Sequence, residues 1–239
     1  MTVETRHAWR SLLDSASAPY KRSGRFAWHF ARGKLRWDPV FGHLVAAGLI
    51  APGARVLDIG CGQGLLASLV RAAGHAGAAG RWPSEWAAAP TGARVTGIEL
   101  MPRDVARARD ALGDSAEFVC ADMRSAAFPN ADTVVILDAL HYVPIDAQDA
   151  ILARVRAALG SGGRLVLRVG DASSRRAFVH GQWVDRVVSF VRGQPVRQLH
   201  GRTLSQWTRR LGELGFTVSS QPMHAGTPFA NFLFIGTLA

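Results

Sequence analysis

The chain has 239 residues, of which 48% are hydrophobic and 19% charged. This suits one large domain, or one domain with an attached segment, and excludes a disordered chain. No apolar run approaches the roughly 20 residues that a membrane-spanning helix needs. The formal net charge of +10 brings nucleic acid, an anionic membrane surface or an acidic carrier protein into consideration. All lysine and arginine positions except Lys21 and Lys34 are arginines, in a chain rich in alanine and glycine, so coding bias is the better account of the charge.

In chain order, Ala8, Trp9, Leu12 and Leu13 predict a short first helix. The stretch before them has no apolar core, so no secretory leader is expected. Residues 20 to 36 set Lys21, Arg22, Arg25, Arg32, Lys34 and Arg36 among Phe26, Trp28, Phe30 and Leu35. Asp38 and Pro39 start a further helix as N-cap and first residue. Phe41, Leu44 and Val45 form its apolar face, and Gly48 suits its end. From Arg55 onward strands and helices alternate. Val56 to Ile59 is a buried strand, Gly60 to Gly64 a tight loop, and Leu65 to Ala73 a helix. Val95 to Leu100, Phe118 to Ala121, Thr133 to Leu137 and Arg164 to Val169 are further strands, with a helix through Ile151, Leu152, Val155 and Leu159 before the last of them. Such alternation implies a parallel sheet with right-handed crossovers.

Two parts depart from that rhythm. Residues 74 to 94, with Trp82, Pro83 and Trp86, are too long for an ordinary connection and read as an insertion, either a lid or a surface loop. At the end, Thr203 and Gln206 form a capping-box pair before a helix faced by Leu204, Trp207, Leu211 and Leu214. Phe216 to Ser219 and Phe232 to Thr237 follow as strands joined by a loop alone, which fits an antiparallel pair.

The chemistry concentrates in Val56-Leu57-Asp58-Ile59-Gly60-Cys61-Gly62-Gln63-Gly64. Its glycines admit close approach of backbone to a ligand. A dinucleotide fingerprint would be G-x-G-x-x-G, but here the third glycine arrives one place early and Leu65 occupies its position. Asp58 separates the possibilities, because a carboxylate repels a pyrophosphate and attracts the ammonium and sulfonium of S-adenosylmethionine. Glu99 ends the second strand, where an acid can accept ribose hydroxyls. Asp122 ends the third and can take an adenine amino group. Asp138 to Tyr142 follow the fourth. Ligands bind at such carboxyl ends. Cys61 and Cys120 have neither metal-ligand spacing nor a disulfide pattern, so no metal is expected, and a reducing cytoplasm is the expected home.

In these motifs, over about residues 54 to 170, the sequence resembles the class I S-adenosylmethionine-dependent methyltransferases. The terminal helix and strand pair match that family's closing elements. The resemblance implies an α/β fold: a Rossmann-like, seven-stranded, mostly parallel sheet with helices on both faces and the last strand antiparallel. It implies that Asp58, Gly60, Gly62 and Gly64 line the methionine portion of S-adenosylmethionine, that Glu99 holds the ribose and that Asp122 and Met123 hold the adenine. Cys61, Leu100 and Asp138 complete the expected cofactor contacts. Residues 51–239 would form the methyltransferase domain, and residues 1–50 a helical lid or substrate segment.

The run Leu137-Asp138-Ala139-Leu140-His141-Tyr142 resembles the small-molecule branch. It lacks both the Asn/Asp-Pro-Pro-aromatic run of amino-methylating nucleic-acid enzymes and the Pro-Cys of cytosine ring enzymes, so a nucleic-acid partner is not expected. His141 is the candidate general base, with packing over the cofactor as its alternative role. Tyr142, His180 and Trp183 are candidate acceptor contacts. Residues 24 to 35 bear a faint resemblance to methyltransferases of aryl-polyene pigment pathways, which implies an aromatic acceptor tethered to an acyl carrier protein and methylated on phenol oxygen or ring carbon. An RNA methyltransferase and a non-catalytic S-adenosylmethionine-binding module stand as alternatives.

Overall fold

The computed structural model describes residues 2–173, 199–225 and 230–239. The strands are β1 (Arg55–Ile59), β2 (Arg94–Glu99), β3 (Glu117–Cys120), β4 (Ala131–Leu137), β5 (Leu159–Gly170), β6 (Phe216–Pro222) and β7 (Asn231–Leu238). They form one seven-stranded sheet in the order β3-β2-β1-β4-β5-β7-β6. β1 to β5 run parallel, and β7 is antiparallel to both β5 and β6. The final strand thus inserts between β5 and β6, as a hairpin partner of β6. Strand order reverses between β1 and β4, so the crevice opens at the carboxyl ends of those two strands.

The described helices are α1 (Val3–Ser17), α2 (Arg25–Trp37), α3 (Pro39–Ala46), α4 (Leu65–Ala78), α5 (Pro102–Leu112), α6 (Ile145–Ala158) and α7 (Leu204–Glu213). Successive side chains of a strand point to opposite faces, and the core divides accordingly. Val56, Val95, Val135, Val166 and Leu233 pack with apolar residues of α1 to α5. Leu57, Ile59, Ile98, Val134, Ile136, Leu165 and Phe234 pack with α6 and α7. Both faces are therefore buried, which explains the near-continuous apolar strands.

Local chemistry sets the boundaries. The Asp38 side chain accepts from the Val40 amide and Pro39 follows it, which starts α3 as the sequence predicts. The Thr203–Gln206 capping box at α7 is formed on both sides. α1 is much longer than the four marker residues imply: the Thr2 side chain accepts the Thr5 amide at its start, and Ala16 and Ser17 are buried in its last turn. α5, which the strand pattern passed over, buries only a narrow stripe of Val105, Ala108, Ala111 and Leu112. Among the described residues no helix is long and apolar enough to cross a membrane.

The segment at 74 to 94 does not cover the crevice. Its first residues extend α4 to Ala78, and the rest lies at the amino ends of the strands. There the Ala87 amide donates to the Ala46 carbonyl at 3.0 Å and the Gly53 amide to the Thr91 carbonyl at 2.9 Å. Trp82 and Trp86 stack edge to face and pack against the α1-to-α5 core. The lid reading is corrected by this topology: a helix that follows β1 must return to the amino edge before β2 begins.

Candidate functional site

The loop between β1 and α4 builds the floor of the crevice. Gly60, Gly62 and Gly64 have φ of 78°, 55° and 77°, the left-handed region that costs a residue with a Cβ about 1–2 kcal/mol. Space demands glycine as well. A Cβ on Gly60 would lie 2.5 Å from the Ala139 Cβ, and one on Gly64 would lie 2.8 Å from the Phe118 ring. Gly60 therefore lets the glycine loop touch the turn after β4.

Glu99 ties this loop to the end of β2. Its Oε2 accepts the Gly62 amide at 3.0 Å, and its Oε1 accepts the Met101 amide at 2.9 Å. Asp58, on β1, is buried, and among the described residues no cationic side chain pairs with it. Burial first, and the neighbouring Glu99 carboxylate second, push its pKa from 3.8 up to about 7. A buried carboxylate at the mouth of a glycine loop fits a ligand that carries positive charge. The sulfonium and ammonium of S-adenosylmethionine satisfy that requirement, whereas a dinucleotide pyrophosphate does not.

The cationic cofactor should consequently displace the Asp58 proton. A nearby cation favours the charged form and lowers the pKa. The ligand-free group, with its raised pKa, holds its proton up to about pH 7. Affinity for S-adenosylmethionine should therefore rise as pH climbs toward 7 and level off above it. Calorimetry in buffers of differing ionisation enthalpy should detect proton release below that pH and less above it. A pH-independent affinity with no proton release would contradict the assignment.

The remaining expected cofactor residues are distributed around this centre. Leu100 follows Glu99 at the β2 end and is half-buried. Cys61 is a buried free thiol, packed where a Cβ on Gly97 would come within 2.7 Å of its sulfur. Its thiol pKa is raised, by burial first and by Asp58 and Glu99 next, which disfavours the thiolate that a cysteine nucleophile needs. Asp122 accepts from the Arg124 guanidinium, with Nη2 at 2.6 Å from Oδ2. Met123 packs against the α6 side of the core. Asp138 has φ of 56° and pairs with Arg168. His141 and Tyr142 follow in a short turn, half-buried, with their rings 4.2 Å apart. The His200 amide donates to the His141 carbonyl at 2.9 Å, bringing the chain beyond β5 to the crevice. His180 and Trp183 lie outside the described residues.

Several residues at the site were not singled out from the sequence. Gln148 is fully buried on α6, and its Nε2 donates to the carbonyls of Leu140, Val143 and His200 at 3.0–3.2 Å, fixing the turn that holds His141. Gln63 and Tyr20 join the N-terminal arm to the glycine loop. The Tyr20 hydroxyl donates to the Gln63 carbonyl at 2.9 Å, and Gln63 Nε2 donates to the Ala27 carbonyl at 3.4 Å. α2 is fastened near one end by Ser23 to Asp110 of α5 and at the other by Lys34 to Asp38, 2.7 Å apart. Apart from the i,i+4 pair of Lys34 and Asp38, these contacts join an isolated polar residue to distant backbone or side chains, for which local periodicity carries no signal.

Comparison with known proteins agrees with the geometry. The family model described as "Methyltransferase domain" matches residues 4–221. The chain belongs to that family. Among curated proteins, this methyltransferase-domain chain is 33% identical over 140 residues to the carboxy-S-adenosyl-L-methionine synthase of Chromohalobacter salexigens, covering 54% of the chain and 47% of the relative. The chain spans about half the length of the curated relatives it matches. Among solved structures, it resembles the magnesium protoporphyrin IX methyltransferase of Synechocystis PCC 6803 with bound S-adenosylhomocysteine, at TM-score 0.60, 19% identity and coverage of 90% and 88% of the two chains. It also resembles an O-methyltransferase family protein from Burkholderia thailandensis, at TM-score 0.63, 18% identity and coverage of 88% and 57%. These likenesses agree with the Rossmann-like methyltransferase fold, and S-adenosylmethionine is the cofactor that the donor set fits.

Proposed function

We propose that the protein transfers the methyl group of S-adenosylmethionine to a small-molecule acceptor. The observation that carries this reading is Asp58, a buried carboxylate without a cationic partner among the described residues, set beside a glycine loop that Glu99 holds in place. The cofactor supplies an electrophilic methyl carbon bound to sulfur. Asp58 faces its positive charge, Gly60, Gly62 and Gly64 allow close approach of the backbone, and Glu99, Leu100, Asp122 and Met123 take the nucleoside portion.

His141 and Tyr142 stand after β4, beside the crevice, where an acceptor would meet the methyl group. His141 removes the acceptor's proton as the new bond to carbon forms. α2, spanning from α5 to the turn after β4, is the cover of the bound cofactor, which gives residues 1–50 their role. The exposed Lys21, Arg22 and Arg25 and the aromatic Phe26 on this segment favour an acceptor delivered by an acidic carrier over a free neutral one. An aromatic acceptor fits the Tyr142 wall.

S-adenosylhomocysteine should bind the isolated protein and raise its melting temperature, since a ligand that binds only the native state stabilises it. NADH should not. Stabilisation by NADH alone would overturn the reading. An acceptor screen with labelled S-adenosylmethionine, comparing free phenols with the same groups on a carrier protein, then identifies the acceptor class.

A further inference from the structure

The α2–α3 junction and the turn after β4 meet at one buried arginine that no part of the proposed chemistry uses. Arg168, near the end of β5, is 2% exposed. Its guanidinium forks between two aspartates. Nη1 and Nη2 reach Asp38, the latter at 2.6 Å. Nε donates to Asp138 Oδ1 at 2.9 Å, and Nη2 also reaches Asp138 Oδ2. The Arg168 carbonyl accepts the Asp138 amide at 3.1 Å. Lys34 of α2 stands 2.7 Å from Asp38 and 3.9 Å from Asp138, so the cluster pairs two cations with two carboxylates.

Each aspartate has a distinct structural duty. Asp38 ends α2 and caps α3, so it holds the covering helix. Asp138 is the only non-glycine residue among those described with positive φ, 56°. Left-handed backbone is tolerated in aspartate when its side chain is held locally. Its neighbour Ala139 is the residue that Gly60 touches. A change of φ at Asp138 would therefore move the contact with the glycine loop and the turn that bears His141 and Tyr142.

We propose that Arg168 is a positioning residue: its fork on Asp138 and Asp38 locks the left-handed turn after β4 and ties it to the covering helix, setting the crevice in its ligand-ready shape. Only arginine presents donors in a planar fork that serves two carboxylates at once. The Asp138 carboxylate is thereby spent on Arg168, and the backbone of the turn is what it contributes to the crevice. The affinity consequence rests on the methyl-donor reading above, while the conformational consequence does not.

The test compares R168Q with the double variants R168Q/D138G and R168Q/D138A, read by S-adenosylhomocysteine calorimetry and by amide hydrogen exchange of residues 139–143 without ligand. Both double variants remove one charge of each sign, leaving Lys34 paired with Asp38. They differ in that glycine adopts positive φ freely and alanine does not. R168Q should weaken binding by about 5- to 30-fold, the equilibrium equivalent of releasing a left-handed residue, and should speed exchange across the turn. D138G should restore most of both, and D138A should restore neither. Unchanged binding and exchange in R168Q would overturn the proposal, and so would equal rescue by alanine, which would mean charge balance alone. If R168Q does not fold, the glycine and alanine double variants still divide the two outcomes. If the wild type fails to bind S-adenosylhomocysteine, the methyl-donor reading falls, while the exchange measurement still decides whether Arg168 is a clamp.

Discussion

Replacing Glu99 with alanine is expected to weaken S-adenosylhomocysteine binding by about two orders of magnitude, with little loss of fold. Glu99 lies half-buried at the end of β2, so no large cavity follows its truncation. Its carboxylate accepts the Gly62 and Met101 amides. Hydrogen bonds to a charged acceptor contribute roughly 1.5–3 kcal/mol each. The variant loses the bond that orders the glycine loop and, on the reading proposed above, also the acceptors for the ribose hydroxyls. Each carboxylate oxygen can take a second donor, so the two backbone bonds leave capacity for a ribose. Glu99→Gln should fall between wild type and alanine, because it keeps one acceptor oxygen. Removing the carboxylate beside Asp58 should also lower the Asp58 pKa, since Glu99 is part of the cause of its elevation. Calorimetry decides the matter: unchanged affinity in Glu99→Ala would mean that the β2 end does not face the cofactor.

The fold was legible because its signals are local. Asp38-Pro39 and Thr203…Gln206 set helix starts through contacts two or three residues away. The apolar runs of β1 and β4 are buried on both faces, which a parallel sheet requires. The Asp58-to-Gly64 loop was legible for the same reason, since glycine spacing and an adjacent acid are sequence-local. What escaped was assembled across the fold. Arg168 lies 130 positions from Asp38 and 30 from Asp138, and nothing in its own strand marks it apart from a charge in an apolar run. That mark was available: an arginine between Leu167 and Val169 in a strand buried on both sides demands a carboxylate partner. Gln148 sits with the apolar residues of α6, and only the three carbonyls it meets reveal its task. The sequence leaves the 74–94 segment open between a lid and a surface loop, because length marks an unusual connection without saying at which edge of the sheet it falls. The preceding helix supplies that information, since it must run back to the amino edge.

The largest kinetic effect is expected at His141. If it accepts the acceptor's proton, His141→Ala should lower turnover by about 10²–10⁴-fold while leaving S-adenosylmethionine affinity nearly unchanged, because a base acts on the transition state and not on the bound cofactor. The backbone of the turn should survive the substitution. The contact with His200 uses the His141 carbonyl, and Gln148 holds the flanking carbonyls of Leu140 and Val143. The rate is compared at saturating cofactor, which removes any contribution of Asp58 protonation to turnover. A variant that turns over slowly under that condition identifies His141 as the base. One that keeps near-full turnover at saturating acceptor shows that alignment between the cofactor and the acceptor supplies the rate, and confines His141 to packing beside Tyr142.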